Sequence, residues 1–151
     1  MNYATALVQL PLVMEASKGR VSSPEDVVRV CADIRELAQE TFHVLSLNAR
    51  NCLINRQLVS VGLVDASLVH PREVFRLAIQ QNASALVLVH NHPSGDPTPS
   101  AEDLRITRQL TEAGKIIGIP VQDHVVLGRE VEGSRGYLSL REQGLCSFAN
   151  A

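Results

Sequence analysis

The run Ala83-Ser84-Ala85-Leu86-Val87-Leu88-Val89 is apolar at every position but one, and it stops on His90-Asn91-His92-Pro93. A short apolar run bounded by turn signals is the pattern of a central strand buried on both faces. The rest of the chain must therefore pack around it. Ser23-Pro24-x-Asp26 is a helix start, with a capping serine, a proline at the first helical position and a carboxylate at the third. Val27, Cys31, Ile34 and Ala38 then recur at helical spacing, which predicts a helix to about Gln39. Phe42 to Asn48 and Cys52 to Val61 read as the strands of a hairpin about Asn48-Ala49-Arg50-Asn51, and Gly62 to Val69 as a connecting segment. Pro71 opens a second helix, with Val74, Phe75, Ala78 and Ile79 as its apolar stripe. Pro93 to Pro99 is a loop, after which Ser100 caps a third helix. There Ile106, Leu110, Ala113 and Ile117 keep helical period up to Gly118. Ile119 to Leu127 and a short piece near Gly136 to Leu140 read as strands. The order α-β-β-α-β-α-β-β predicts an α/β chain of the α+β type, a mixed sheet flanked by helices. Residues 1–20 carry no clear period and read as a lead-in arm before a single domain over 21–151.

At 151 residues one domain buries about two-thirds of its unfolded surface. Hydrophobic residues make up 45% and there is no Trp, so the core must rest on Val, Leu, Ile and Ala. No run approaches the ~18 apolar residues of a membrane span. Met1 to Met14 lacks the basic start and cleavage site of a signal peptide. The expectation is a cytoplasmic protein with no membrane association. Cys31, Cys52 and Cys146 are scattered and odd in number, which predicts reduced, mostly buried thiols rather than disulfides or a cysteine zinc site. A net charge of -2 argues against strong nucleic-acid binding, which draws on dense positive charge. Arg72 with Arg76, and Arg105 with Arg108, lie at helical spacing, an arrangement more common on a solvated helix face than in a binding patch.

In an extended segment residues i and i+2 point to the same side, so His90 and His92 can present their imidazoles to one point. A carboxylate returning on Asp103 would complete an N,N,O set. Such a set leaves one position of a tetrahedral zinc open, the mark of a catalytic rather than a structural site. Ser100-x-x-Asp103 is also a helix-capping pattern by itself, so the aspartate has a purely structural alternative. Asp123-His124 lies in a strand and His70 precedes a helix. The Asp-His pair is open to a role behind the ligands or in contact with substrate, and a structural histidine that satisfies a neighbouring backbone group is at least as common. Neither His124 nor His70 is placed among the ligands.

His90-x-His92-Pro93, then six residues, Ser100, two residues and Asp103 resembles the JAMM motif of the JAB/MPN metalloprotease superfamily. The wording HNHPSGDPTPSAED, with Val69-His70-Pro71-Arg72-Glu73 upstream and Asp123-His124-Val125-Val126 downstream, is similar to the bacterial RadC-like branch over roughly residues 38 to 145. The resemblance implies a JAB/MPN, cytidine deaminase-like architecture. It implies one Zn2+ per chain on His90, His92 and Asp103, with water as the fourth ligand. It also implies that Ser100 hydrogen-bonds a developing oxyanion, and that a glutamate ahead of the first core strand is the general base. Glu40 matches that position; an ordinary solvated residue is its alternative, and Glu36 and Glu73 are the fallback candidates. Two departures stand out. Longer RadC-like proteins carry an N-terminal helix-hairpin-helix region for which these residues leave no room, so its DNA association is not carried over. Leu63 stands where relatives are expected to have threonine.

The leading expectation is a zinc-dependent metallopeptidase or isopeptidase acting on a peptide or protein. A DNA-repair accessory or nuclease and a non-catalytic JAB scaffold are the alternatives. The contiguous letters H-N-H do not support a nuclease, because the HNH motif disperses its residues over a longer unit. Intact ligands count against a degenerate scaffold. Self-association into a homo-oligomer is left open.

Overall fold

The structure, a computed structural model, describes residues 19–62 and 69–148. Its elements are α1 (Pro24–Val30), a short 3-10 helix (Ala32–Glu36), β1 (Thr41–Leu47), β2 (Leu53–Val61), α2 (Pro71–Gln80), β3 (Ala85–Asn91), α3 (Ala101–Ile117), β4 (Val121–Leu127) and β5 (Tyr137–Ser139). The strands form one sheet in the order β2-β1-β3-β4-β5. The β3–β4 pair is parallel and the other three pairs are antiparallel. This is the mixed α+β sheet that the element order predicts. No helix among the described residues is long and apolar enough to cross a membrane.

Every residue of β3 is buried, because the sheet is covered on both sides. Leu86 and Leu88 join Phe42, Val74, Phe75, Ile106 and Leu110 in one core under α2 and α3. Val87 and Val89, which alternate with them, join Val27, Cys31, Ile34, Leu45 and Leu127 in a second core under α1. The parallel β3–α3–β4 connection directs the C-terminal ends of two neighbouring strands to the same edge, where open α/β sheets place their ligands. The loop after β3 is pinned there. His92 N–H donates to the Leu127 carbonyl and Arg129 N–H to the Gly95 carbonyl. A Cβ on Gly128 would collide with that same Gly95 carbonyl, so only glycine permits this approach.

The structure departs from the sequence expectations at several points. The first helix ends at Val30 rather than near Gln39, because the Arg56 guanidinium takes the Val30 carbonyl at 3.2 Å and pairs with Asp33 at 2.6 and 2.8 Å. The chain tightens into 3-10 geometry instead, which still buries Ile34 but leaves Ala38 exposed. Ile79 is 53% exposed, since the buried side of α2 is only as wide as Val74, Phe75 and Ala78. Of the three free thiols only Cys31 is buried, and that burial pushes its pKa up to about 11. Gly19 and Arg20, the end of the expected lead-in arm, pair with the start of β2 through Arg20 opposite Cys52. The remainder of that arm, and most of the 62–69 connection with Leu63, lie outside the described residues.

Candidate metal centre

The side chains expected to share a metal meet at the end of β3. His90 Nε2 and His92 Nε2 are 2.9 Å apart, and Asp103 Oδ2 lies 3.3 Å from each. Strand geometry puts the two imidazoles on one side. The loop then returns the first turn of α3, with Asp103, over them. Glu40, immediately before β1, places Oε1 3.6 Å from both ring nitrogens. The ligand atoms of Glu40, His90, His92 and Asp103 all fall within 4.8 Å of one another, so the group could hold a metal ion.

The donor set suits a small cation. Ligands about 2.0–2.1 Å from a tetrahedral zinc sit roughly 3.3 Å apart, close to the spacings of these three atoms. Two bare ring nitrogens at 2.9 Å repel each other unless a proton or a metal ion lies between them.

Hydrogen bonds behind the site fix which nitrogens are bare. The Thr107 hydroxyl donates to the Asp103 carbonyl at 2.6 Å, so its oxygen must accept from His124 Nδ1, also at 2.6 Å. His124 then carries its proton on Nδ1, and its Nε2 accepts from His90 Nδ1 at 2.7 Å. The His90 proton is thus committed away from the site, leaving Nε2 unprotonated. His92 Nδ1 donates to the Asp96 carbonyl at 2.8 Å with the same result. His124 is fully buried, and burial holds its pKa well below the ordinary histidine value, which keeps it neutral.

Burial would lower the His92 pKa, but the Asp103 carboxylate, the Asp96 carbonyl and Glu40 outweigh it, so the pKa is raised. Burial likewise opposes charge on Asp103, yet His90, His92 and the Ser100 N–H hold its carboxyl far below the ordinary range. The capping role of Asp103 is realised, and the same carboxylate also lies beside the histidines. Its Oδ2 accepts from Ser100 N–H at 2.8 Å in a reciprocal capping box, and the same oxygen faces the histidines.

Ser100 caps α3 through Oγ, which accepts from Asp103 N–H at 3.0 Å. Its own hydroxyl proton has no acceptor among the described residues. Glu36 and Glu73 are exposed and outside the cluster, and Glu73 is paired with Arg76. His70 is the N-cap of α2, accepting from Arg72 N–H, a structural task. Asp123 takes the hydroxyl of Ser139 and the backbone N–H of Arg141, away from the ligands. Thr107 and Asn91 were not legible as site residues. The i+4 spacing of Thr107 from Asp103 on one helix face was the available signal for the first.

Residues 21–145 match the family described as the RadC-like JAB domain. A UPF0758 protein of Listeria monocytogenes is 47% identical over 137 residues, which are 90% of this chain and 59% of that protein. One from Caldanaerobacter subterraneus is 47% identical over 141 residues, 93% of this chain and 58% of that protein. A UPF0758 protein of Halalkalibacterium halodurans is 44% identical over 138 residues. The chain thus spans less than two-thirds of the length of the relatives it matches. By sequence over most of its length, the chain belongs to the RadC-like JAB domain family.

Proposed function

We propose that the chain is a zinc-dependent hydrolase of the JAMM type, a peptidase or isopeptidase acting on a peptide or protein. The reading rests on one observation. His90 Nε2, His92 Nε2 and Asp103 Oδ2 form a close triangle of donors, and a second carboxylate, Glu40, stands 3.6 Å from both nitrogens. A divalent ion held by the three donors would supply a Lewis acid for a scissile carbonyl and an acidified water. Two histidines and one aspartate suffice to hold such an ion with a position left open. Glu40 is then available to take a proton at Oε1 and return it to the leaving amine. The free hydroxyl proton of Ser100 is available to an oxyanion forming beside the start of α3. Because Ser100 Oγ also accepts from Asp103 N–H, the hydroxyl is held in place rather than free to wander.

Metal analysis of the purified chain, followed by a fluorogenic peptide screen with and without chelator, tests the reading. One zinc per chain and chelator-sensitive cleavage are expected. His92→Ala should lose the zinc, whereas Glu40→Gln should keep it and lose about 10²–10⁴-fold in turnover. Zinc stoichiometry unchanged in His92→Ala, or full activity in Glu40→Gln, would overturn the assignment of that residue. A chain that takes up no zinc when supplied with it, and cleaves no peptide, would overturn the whole.

A further inference from the structure

Asn91 stands between the two histidines in sequence, and strand alternation points its side chain to the opposite face of β3. It is fully buried, and its amide is used almost completely. Oδ1 accepts from Thr41 N–H at 2.8 Å and from the Thr41 hydroxyl at 2.7 Å, while Nδ2 donates to the Gln39 carbonyl at 2.9 Å. The backbone ladder between β1 and β3 has its last registered pair at Phe42 opposite His90. One step further, the asparagine side chain replaces the missing backbone partner. It grips the residue before Glu40 and the residue after it.

The orientation of that amide is not arbitrary. Flipping it would set a donor against Thr41 N–H and an acceptor against the Gln39 carbonyl, two losses inside a buried site. The Thr41 hydroxyl donates to Asn91, so its oxygen must accept from His43 Nε2 at 2.9 Å. His43 then carries its proton on Nε2, which leaves Nδ1 as a bare acceptor; that atom is buried without a partner. On the far side the Glu40 carbonyl accepts from Gly62 N–H at 2.8 Å. The backbone on both sides of Glu40 is therefore held, and its carboxylate projects toward the histidines from a fixed base.

We infer that Asn91 is a positioning residue. Its side-chain amide couples the end of β3, which carries His90 and leads directly into His92, to the backbone that carries Glu40, and so sets the carboxylate at equal distance from both ring nitrogens. The inference rests on the hydrolase reading only for the role of Glu40; the clamp itself is a matter of geometry. Asparagine suits the task because one planar group offers both an acceptor and a donor. Aspartate would keep the bonds to Thr41 and set a negative oxygen against the Gln39 carbonyl. Alanine would lose all three bonds.

The test uses zinc-loaded chain with wild-type residues, Asn91→Ala, Asn91→Asp, Glu40→Gln and the Asn91→Ala/Glu40→Gln double variant. A peptide found in the screen serves as substrate. Misplacing a reacting group by about 1 Å can cost 10²-fold, so Asn91→Ala should lower kcat by about that factor with KM and zinc stoichiometry retained. In the Glu40→Gln background the same change should cost less than about 3-fold, because residues that act as a unit are non-additive. Equal losses in both backgrounds, or loss of zinc in Asn91→Ala, would make Asn91 a general structural residue and overturn the inference. Should Asn91→Ala not fold, Asn91→Asp carries the same comparison. If no peptide is cleaved, the hydrolase reading fails on its own, and crystal structures of the zinc-loaded variants decide the clamp. A displaced Glu40 carboxylate is expected, and one that stays in place overturns it.

Discussion

At the scale of single residues, the site is organised by where protons are forced to sit. A carbonyl can only accept, so the Asp103 carbonyl commits the Thr107 hydroxyl, which commits His124, which commits His90. Removing the first link should release the last. Thr107→Val keeps the shape and deletes the hydroxyl, leaving His124 free to place its proton on Nε2 against His90. Loss of such outer hydrogen bonds typically costs 10–100-fold in metal affinity, and that is the expected fall in zinc affinity by competition with a chelator. An unchanged affinity would show that the chain of protons does not prepare His90.

The raised His92 pKa carries a second expectation. Without metal, a histidine whose folded pKa exceeds its unfolded value, about 6.5, contributes stability that is complete below that value. The contribution is lost as pH rises through the folded pKa. Zinc has the opposite preference, since it needs the bare Nε2. The rise in Tm on adding stoichiometric zinc should therefore be larger at pH 8 than at pH 5.5, as scanning calorimetry would record. A rise that grows on acidification would contradict the ligand set.

At the scale of elements, local patterns set where helices begin, and neighbours decide where they end. Ser23 caps α1 and Ser100 caps α3 as their sequence positions predict. The C-terminus of α1 is set by Arg56, 26 residues further along the chain, a partner that no local period announces. The apolar stripe of α2 shows the same limit, because periodicity names four positions and the packing against the sheet buries three. Leu88→Ala, inside the core under α2 and α3, should therefore cost about 2–5 kcal/mol. Ile79→Ala, on the same apolar stripe by sequence, should change stability by no more than about 0.5 kcal/mol. Denaturant unfolding of the two variants measures both, and comparable losses would mean that Ile79 is covered in solution.

At the scale of the whole molecule, charge sets a prior on partners. The chain carries -2 overall, and Arg76 and Arg105 each pair with a glutamate three residues before them. Duplex DNA should thus bind this chain weakly at physiological salt and with a shallow salt slope in a titration by fluorescence anisotropy. Nanomolar binding with a steep slope would favour the DNA-repair alternative.

The sequence by itself determined what depends on neighbours a few residues apart. A two-residue strand period aligned His90 with His92, a capped helix start delivered Asp103, and an apolar run announced a strand buried on both faces. Tertiary structure alone decided the rest. The resemblance puts Glu40 ahead of Glu36 and Glu73, but it is the antiparallel register of β1 on β3 that brings Glu40 to the histidines. His124 reaches His90 across 34 residues, and Asn91 grips Thr41 across 50. Hydrogen bonds of that span depend on strand order and register, which follow from how the whole chain buries its two cores. A short pattern can name the atoms of a metal site, but the groups that orient them are chosen by the packing of distant segments.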